Sequence, residues 1–214
     1  MSRDLERRLA STPRPPQADL RALRDRLARR AAGEGILDVA YAPMDSPIGE
    51  LTVFVTPRGL VRLSYPGEPL DAQLAQLAQR ISPRILAAPE RTDAVRRELE
   101  AYFGGRLHRF ETPVDWRLVG GFSGEVLRAT ARVPYGSLTT YRDVAAAAGS
   151  PLAFRAAGNA LHVNPIPILV PCHRVVPSSG SLGGYGGGVE RKEVLLRLEG
   201  APLPARNPIM QPGV

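Results

Sequence analysis

The chain of 214 residues holds one cysteine, one tryptophan, three histidines and, among its 28 basic residues, a single lysine. Each scarcity excludes something. One cysteine, Cys172, rules out an internal disulfide and any zinc site built from several thiolates, and His108, His162 and His173 are too few to replace them, so no metal is expected. No segment approaches the roughly 18 uninterrupted apolar residues of a membrane span, and the opening MSRDLERRLA lacks the apolar centre of a secretory signal. The expectation is a soluble intracellular protein with its thiol kept reduced. In that setting Cys172 is either an inert small core residue or a nucleophile, and composition does not choose between them.

Acidic residues are also short, 21 against 28, and the imbalance is uneven. Residues 1–35 carry nine arginines and five acids, residues 36–120 ten and eleven, and residues 121–200 eight basic residues and five acids. Positive charge therefore collects in the N-terminal arm and the C-terminal third. Such a bias favours a polyanionic partner without naming it.

Hydrophobic periodicity divides the chain into a basic arm (1–35), an N-terminal body (36–117), a C-terminal unit (118–200) and a tail (201–214). After the break at TPRPP, Leu20, Leu23 and Leu27 fall on one face of a predicted basic helix. From Ile36 the period becomes two: LDVAYAPM, a turn at DSPIGE, then LTVFVTPRGLVRLSY with a hairpin connection at Pro57-Arg58-Gly59, together an antiparallel meander. Helical spacing follows over 70–81 and 91–104, and RFETPVDW reads as an extended link, which makes the N-terminal body α+β. In the C-terminal unit Ser123 is placed to cap a helix ending near Ala131, Thr139 or Thr140 to cap YRDVAAAAG, and Ser150-Pro151 to open LAFRAAGNALH. Two short helices around a Gly-Ser-Pro turn have the outline of a helix-turn-helix, with Arg155 early in the second helix, where such units meet a DNA groove. The tail APLPARNPIMQPGV reads as disordered.

The stretch that carries chemistry runs from Asn164 to Pro177, NPIPILVPCHRVVP, followed by Ser178-Ser179-Gly180 and the glycine-rich Gly183-Gly184-Tyr185-Gly186-Gly187-Gly188. Its prolines fix φ at several points, so the backbone around Cys172 is stiff. A thiol attacks carbon as thiolate, which calls for a base to take its proton and an acid to orient that base. His173 is adjacent, and Glu199 is the candidate acid; neighbouring side chains often diverge, so a bridging water serves as well as direct contact. The glycines let backbone approach a flat ligand, and Tyr185 can wall its pocket. Other residues read as structural: His108 on the surface, Trp116 in core or hinge packing, Arg174 anchoring the loop by an ion pair, and Lys192 solvated on a helix, with a hydrogen bond toward the active-site network as its alternative.

Ile168-Leu169-Val170-Pro171-Cys172-His173-Arg174, with Val175, closely resembles the active-site signature of the O6-alkylguanine-DNA alkyltransferase family, and the resemblance extends over about residues 37–200. It implies a ribonuclease-H-like α+β domain before a mostly helical DNA-binding domain with a helix-turn-helix. It implies a function too, single-turnover transfer of an alkyl group from O6-alkylguanine, and O4-alkylthymine, onto Cys172. On that resemblance His173 takes the thiol proton through a water, Glu199 orients His173, and Asn164 ties the turn to this network. Tyr141 crowds the target phosphate and donates to the extruded base, while Arg155 fills the gap left in the duplex, with Ala156 and Gly158 on the same helix against DNA. Val175, Ser178, Gly183, Tyr185, Gly186 and Pro167 line the base pocket. No cofactor is implied; the partner is double-stranded DNA with alkylated bases, met by a monomer in the bacterial cytoplasm, at the nucleoid when acting. Gly184 and Gly186 stand where relatives carry polar or serine side chains, from which a more open pocket is expected. Three other readings use the same residues: a cysteine hydrolase, a lesion-binding protein without chemistry, and a helix-turn-helix regulator with a structural cysteine. The presence of Cys172 counts against the second and its Pro-Cys-His-Arg setting against the third.

Overall fold

The computed structural model describes residues 17–205. Residues 1–16 and 206–214, with those parts of the arm and tail readings that fall on them, lie outside the described residues. The predicted basic helix is present as α1 (Gln17–Gly33), but Leu23 and Leu27 are exposed and the buried positions are Ala28 and Ala31. The helix lies against a short edge strand, and Ala28 and Ala31 are small enough to be buried at that approach.

The meander forms as β1 (Val39–Met44), β2 (Leu51–Thr56) and β3 (Gly59–Ser64). Helix α2 (Leu70–Arg80) then leads to β4 (Ile85–Ala87), and α3 (Pro89–Phe103) follows. Strand order is β3-β2-β1-β4, antiparallel except that β4 runs parallel to β1. Both faces of this sheet are covered. Val39, Phe54 and Val61 pack with Leu77 of α2, while Ala40, Val53 and Val55 belong to the larger core that includes Val95, Leu99 and Tyr102 of α3. A sheet buried on both faces reads as near-continuous apolar runs, which accounts for Leu-Thr-Val-Phe-Val in β2. The link after α3 runs along β3, with the Leu60 N–H donating to Pro113 and the Asp115 N–H to Leu60, at 2.9 and 2.8 Å. Gly59 makes this approach possible: its φ is +126°, and a β-carbon there would collide with the Pro113 carbonyl oxygen.

The C-terminal unit contains α4 (Gly121–Thr130), α5 (Tyr141–Ala147), α6 (Phe154–His162) and α7 (Val189–Leu198), with a small parallel pair, β5 (Thr139–Thr140) and β6 (Val175–Val176). Thr140 caps α5 in a reciprocal box: its hydroxyl accepts from the Asp143 N–H at 3.2 Å and the Asp143 carboxylate accepts from its N–H at 3.1 Å. The other two caps fall elsewhere. Helix α4 starts at Gly121, so Ser123 lies inside it, because Gly120 and Gly121 supply the extended and left-handed backbone of the entry. Ser150 and Pro151 belong to a turn closed by the Ala153 N–H on the Ser150 carbonyl at 2.9 Å, and α6 opens only at Phe154. Helix α6 packs on α4 and α5, which seats the helix pair on the domain core. The tail is tied down as far as Ala205, whose carbonyl accepts from the Leu182 N–H at 2.9 Å.

Candidate active site

Cys172 begins a single 3-10 turn, Cys172–Arg174, that leads into β6. The approach to it contains two tight γ-turns. Ile168 sits at φ +73°, with the Leu169 N–H on the Pro167 carbonyl at 3.0 Å; a β-branched residue in this conformation costs on the order of 1–3 kcal/mol. Pro171, at φ −80° and ψ 64°, makes the inverse form, with the Cys172 N–H on the Val170 carbonyl at 2.8 Å. Asn164 holds the loop closed: its amide oxygen accepts from the Ile166 N–H at 3.0 Å, and its amide nitrogen donates to the Val170 carbonyl at 2.9 Å and to Cys172 Sγ at 3.1 Å.

Glu199, the C-cap of α7, is buried and surrounded by donors. Oε1 accepts from the Tyr102 hydroxyl (2.6 Å), His173 Nε2 (2.9 Å) and Arg174 Nη2 (2.8 Å), and Oε2 from Arg174 Nε (2.8 Å) and the Gly136 N–H (3.2 Å). Burial would raise the affinity of this carboxylate for a proton, but the hydrogen bonds from His173 and Arg174 outweigh it and hold the group well below its usual range. An ionised Glu199 makes Nε2 of His173 the protonated nitrogen. Burial pushes the imidazole pKa down, more than Glu199 pulls it up, so the ring is neutral at pH 7. Its Nδ1 is buried, without a hydrogen-bond partner among the described residues, and carries the lone pair.

The thiol is buried as well, which pushes its pKa up against the opposing hydrogen bonds of Asn164 and Tyr185 and the charge of Lys192. At rest it is the protonated form, and a base is required to make it a nucleophile. Lys192 is fully buried beneath the site, not solvated as its helical spacing suggests. Its Nζ donates to the carbonyls of Val175 and Leu182 at 2.8 and 2.7 Å, and burial lowers its pKa to about 8.

Cys172 opens on a pocket of about 380 Å³ whose walls include Asn164, Pro167, Tyr185 and Gly186, together with Tyr65 and Leu161. Val175, Ser178, Gly183 and Tyr141 do not line this cavity: Val175 is buried in β6, Ser178 is exposed, and Gly183 lies against Pro177 and near the Tyr141 hydroxyl. Nor does Gly186 widen it. The space a side chain would take there is filled by the His162 carbonyl, so glycine brings the end of α6 closer. The Tyr141 ring packs beside Gly158. Arg155 and Ala156 are exposed on the first turn of α6, with the Arg155 guanidinium 5.5 Å from the Phe154 ring centroid. Leu152 and Val163, at the two ends of α6, are also largely exposed. His108 is exposed and stacks on Tyr135 at 4.1 Å, and Arg174 forms the anticipated ion pair. Tyr102 and Tyr65, both from the N-terminal domain, carry no sequence signal that ties them to the site. Among the described residues no three His, Cys, Asp or Glu side chains cluster as a metal would require.

Residues 39–116 match the ribonuclease-like domain of 6-O-methylguanine DNA methyltransferase and residues 121–201 its DNA-binding domain. A methylated-DNA–protein-cysteine methyltransferase from Mycolicibacterium paratuberculosis is 40% identical over 167 residues, 78% of this chain and 96% of the relative. The human protein of the same name is 37% identical over 167 residues, 75% and 80% of the two chains. The crystal structure of Mycobacterium tuberculosis OGT in complex with DNA superposes with a TM-score of 0.65 at 37% identity, covering 78% of this chain and 96% of that one. With a ribonuclease-like sheet domain, a helix-turn-helix domain and these relatives across most of its length, the chain belongs to the 6-O-methylguanine DNA methyltransferase family.

Proposed function

We propose that this protein repairs DNA by transferring an alkyl group from O6-alkylguanine, and from O4-alkylthymine, in double-stranded DNA to Cys172, once per molecule. The observation that carries the reading is the line Glu199–His173, with Nδ1 unpartnered among the described residues, next to a buried thiol that opens on a pocket. The target carbon lies inside a stacked duplex, so the nucleotide must be extruded at a cost of a few kcal/mol. Arg155, exposed at the start of α6, fills the vacated stack, with Ala156 and Gly158 against the duplex and phosphate contacts from the helix pair offsetting the rest. The base then enters the pocket walled by Pro167, Tyr185 and Gly186, and Val175, Ser178 and Gly183, outside that cavity, contact its edges.

As sulfur attacks, the S–C bond forms and the C–O6 bond breaks. The thiol proton passes through a water to His173 Nδ1, and one proton is finally returned to guanine, which leaves protonated at N1. Tyr141 donates to the departing base, and Asn164 supplies a donor to the sulfur throughout. Nothing in this set hydrolyses a thioether, so the reaction ends there. The protein acts as a monomer in the cytoplasm and at the nucleoid, without a cofactor.

Mixing the protein with an equimolar duplex bearing one O6-methylguanine tests this. Peptide mapping is expected to find S-methylcysteine at position 172 and the duplex free of lesion, with neither change in Cys172→Ala. Lesion binding without S-methylation would overturn transfer in favour of damage sensing.

A further inference from the structure

Tyr65 follows β3, an edge strand of the N-terminal sheet, yet its hydroxyl lies 2.6 Å from that of Tyr185, 120 residues later, and Tyr65, Tyr185 and Cys172 line the same pocket. The contact is built on both sides. Gly187 lies so close to the Tyr65 ring that a β-carbon there would come within 2.5 Å of it. Arg191 sits over the same ring at 5.4 Å and fastens the glycine-rich loop, donating to the Gly187 carbonyl at 2.6 Å and to the Ile48 carbonyl at 3.0 Å. The Tyr65 N–H donates to Glu68 at 2.9 Å, and Glu68 is paired with Arg62.

A tyrosine hydroxyl has one hydrogen to give. In a pair of such groups only one donates to the other, and the direction decides what the second offers to its next neighbour. If Tyr65 donates to the Tyr185 oxygen, the hydrogen of Tyr185 is free for the sulfur; in the opposite direction the sulfur meets only a lone pair. A thiolate forming in this pocket needs donors, and Asn164 divides its amide between the sulfur and the Val170 carbonyl. We propose that Tyr65 is a positioning residue for the transfer: its hydroxyl directs the single hydrogen of Tyr185 onto Cys172 and so steadies the thiolate as it forms. The inference rests on the alkyl-transfer reading above, and it assigns the ribonuclease-like domain a part in the chemistry performed by the other domain.

Other groups face this chain of hydroxyls. Tyr141 from α5 and Lys192 from α7 act on the thiol, His173 follows it in the chain, and Arg191 and Glu68 act on Tyr65. The test therefore keeps all of them and removes hydroxyls alone, with Tyr65→Phe, Tyr185→Phe and the double variant. The rate of Cys172 alkylation by iodoacetamide is followed by intact mass from pH 6 to 10, alongside methyl transfer from the lesion duplex, lesion-duplex affinity and thermal unfolding.

Tyr65→Phe is expected to slow methyl transfer roughly fivefold, the loss of about one hydrogen bond, and to move the thiol profile to higher pH. Affinity for the duplex is expected to stay as in the parent protein, and the unfolding temperature to fall by about 2–4 °C, the loss of one neutral hydrogen bond. Tyr185→Phe shifts the profile further, and the double variant matches Tyr185→Phe alone. An unshifted profile in Tyr65→Phe, or effects of the two substitutions that simply add, would overturn the proposal. The iodoacetamide profile reads the thiol whether or not methylated DNA is the substrate, so failure of the alkyl-transfer reading shows separately, as absence of S-methylation in the parent protein.

Discussion

The two nitrogens of His173 face opposite worlds. Nε2 points into a closed ionic knot in which Glu199 accepts from Tyr102, Arg174, Gly136 and the imidazole itself, and every side chain in it is buried. Nδ1 is left without a partner among the described residues, and the neighbouring thiol accepts a hydrogen bond from Asn164 beside an open pocket. One side is finished in the folded protein, and the other is left with capacity for a reaction. The contrast explains how a neutral base and a protonated thiol stay unreactive until substrate arrives. The carboxylate fixes the tautomer in advance, and only the proton's path remains to be used.

The contrast breaks most severely if the knot loses its charge. Glu199→Gln leaves Arg174 buried against a neutral amide, and its stability to urea is expected to fall by about 3–5 kcal/mol. Methyl transfer would fall by roughly a hundredfold because the tautomer is no longer imposed. A variant as stable as the parent would mean that the ion pair contributes little here.

pH sharpens the comparison from both ends. His173 binds a proton less readily folded than at its ordinary pKa of 6.5, so the unfolded chain gains protons first and stability falls as the pH drops below that value. Glu199, held below its ordinary 4.5, adds a second loss as the pH falls through 4.5 toward its folded value. At the alkaline end Lys192 works in the same direction: between its folded value of about 8 and the ordinary 10.5 the unfolded state takes the proton, so stability contributed at this site rises with pH, by about 3 kcal/mol across the window. Urea titrations of the parent and Lys192→Met between pH 8 and 10.5 measure it. Equal slopes in the two proteins would contradict the assignment.

The smallest effect is expected from Tyr102→Phe. Glu199 keeps four of its five donors, so the loss should be about 2 kcal/mol of stability, one hydrogen bond to a charged group, with transfer slowed far less than in Glu199→Gln. A larger effect on rate than on stability would show that Tyr102 does more than support the carboxylate.

How far the sequence revealed this site follows from where its residues come from. Cys172, His173 and Asn164 sit within ten residues, and Glu199 is the acid at the end of the last helix, so local pattern and family resemblance find them together. Tyr102 and Tyr65 reach their partners across 97 and 120 residues, and no spacing in the chain announces such contacts. Lys192 has the helical spacing of a solvated residue, and only the fold shows two carbonyls waiting for it. Periodicity placed β1 to β3 and the helices that cover them, but β4, three residues long after a Ser-Pro break, is defined by its pairing with β1 and not by any pattern of its own. Ser123 and Ser150 differ from the caps their spacing predicts for one reason: nearby glycines or a turn satisfy the backbone first, leaving those serines without a capping role.

The central claim is that Glu199 sets His173 as a neutral ring with hydrogen on Nε2 and a bare Nδ1. Nitrogen NMR of the protein labelled at histidine measures this directly, since only three rings are present and His108 and His162 are exposed and can be assigned by substitution. The account predicts that the His173 ring shows a protonated Nε2 and an unprotonated Nδ1 at pH 7, with Nδ1 taking up a proton only below the ordinary histidine pKa of 6.5. A ring carrying hydrogen on Nδ1, or an imidazolium at pH 7, would contradict it.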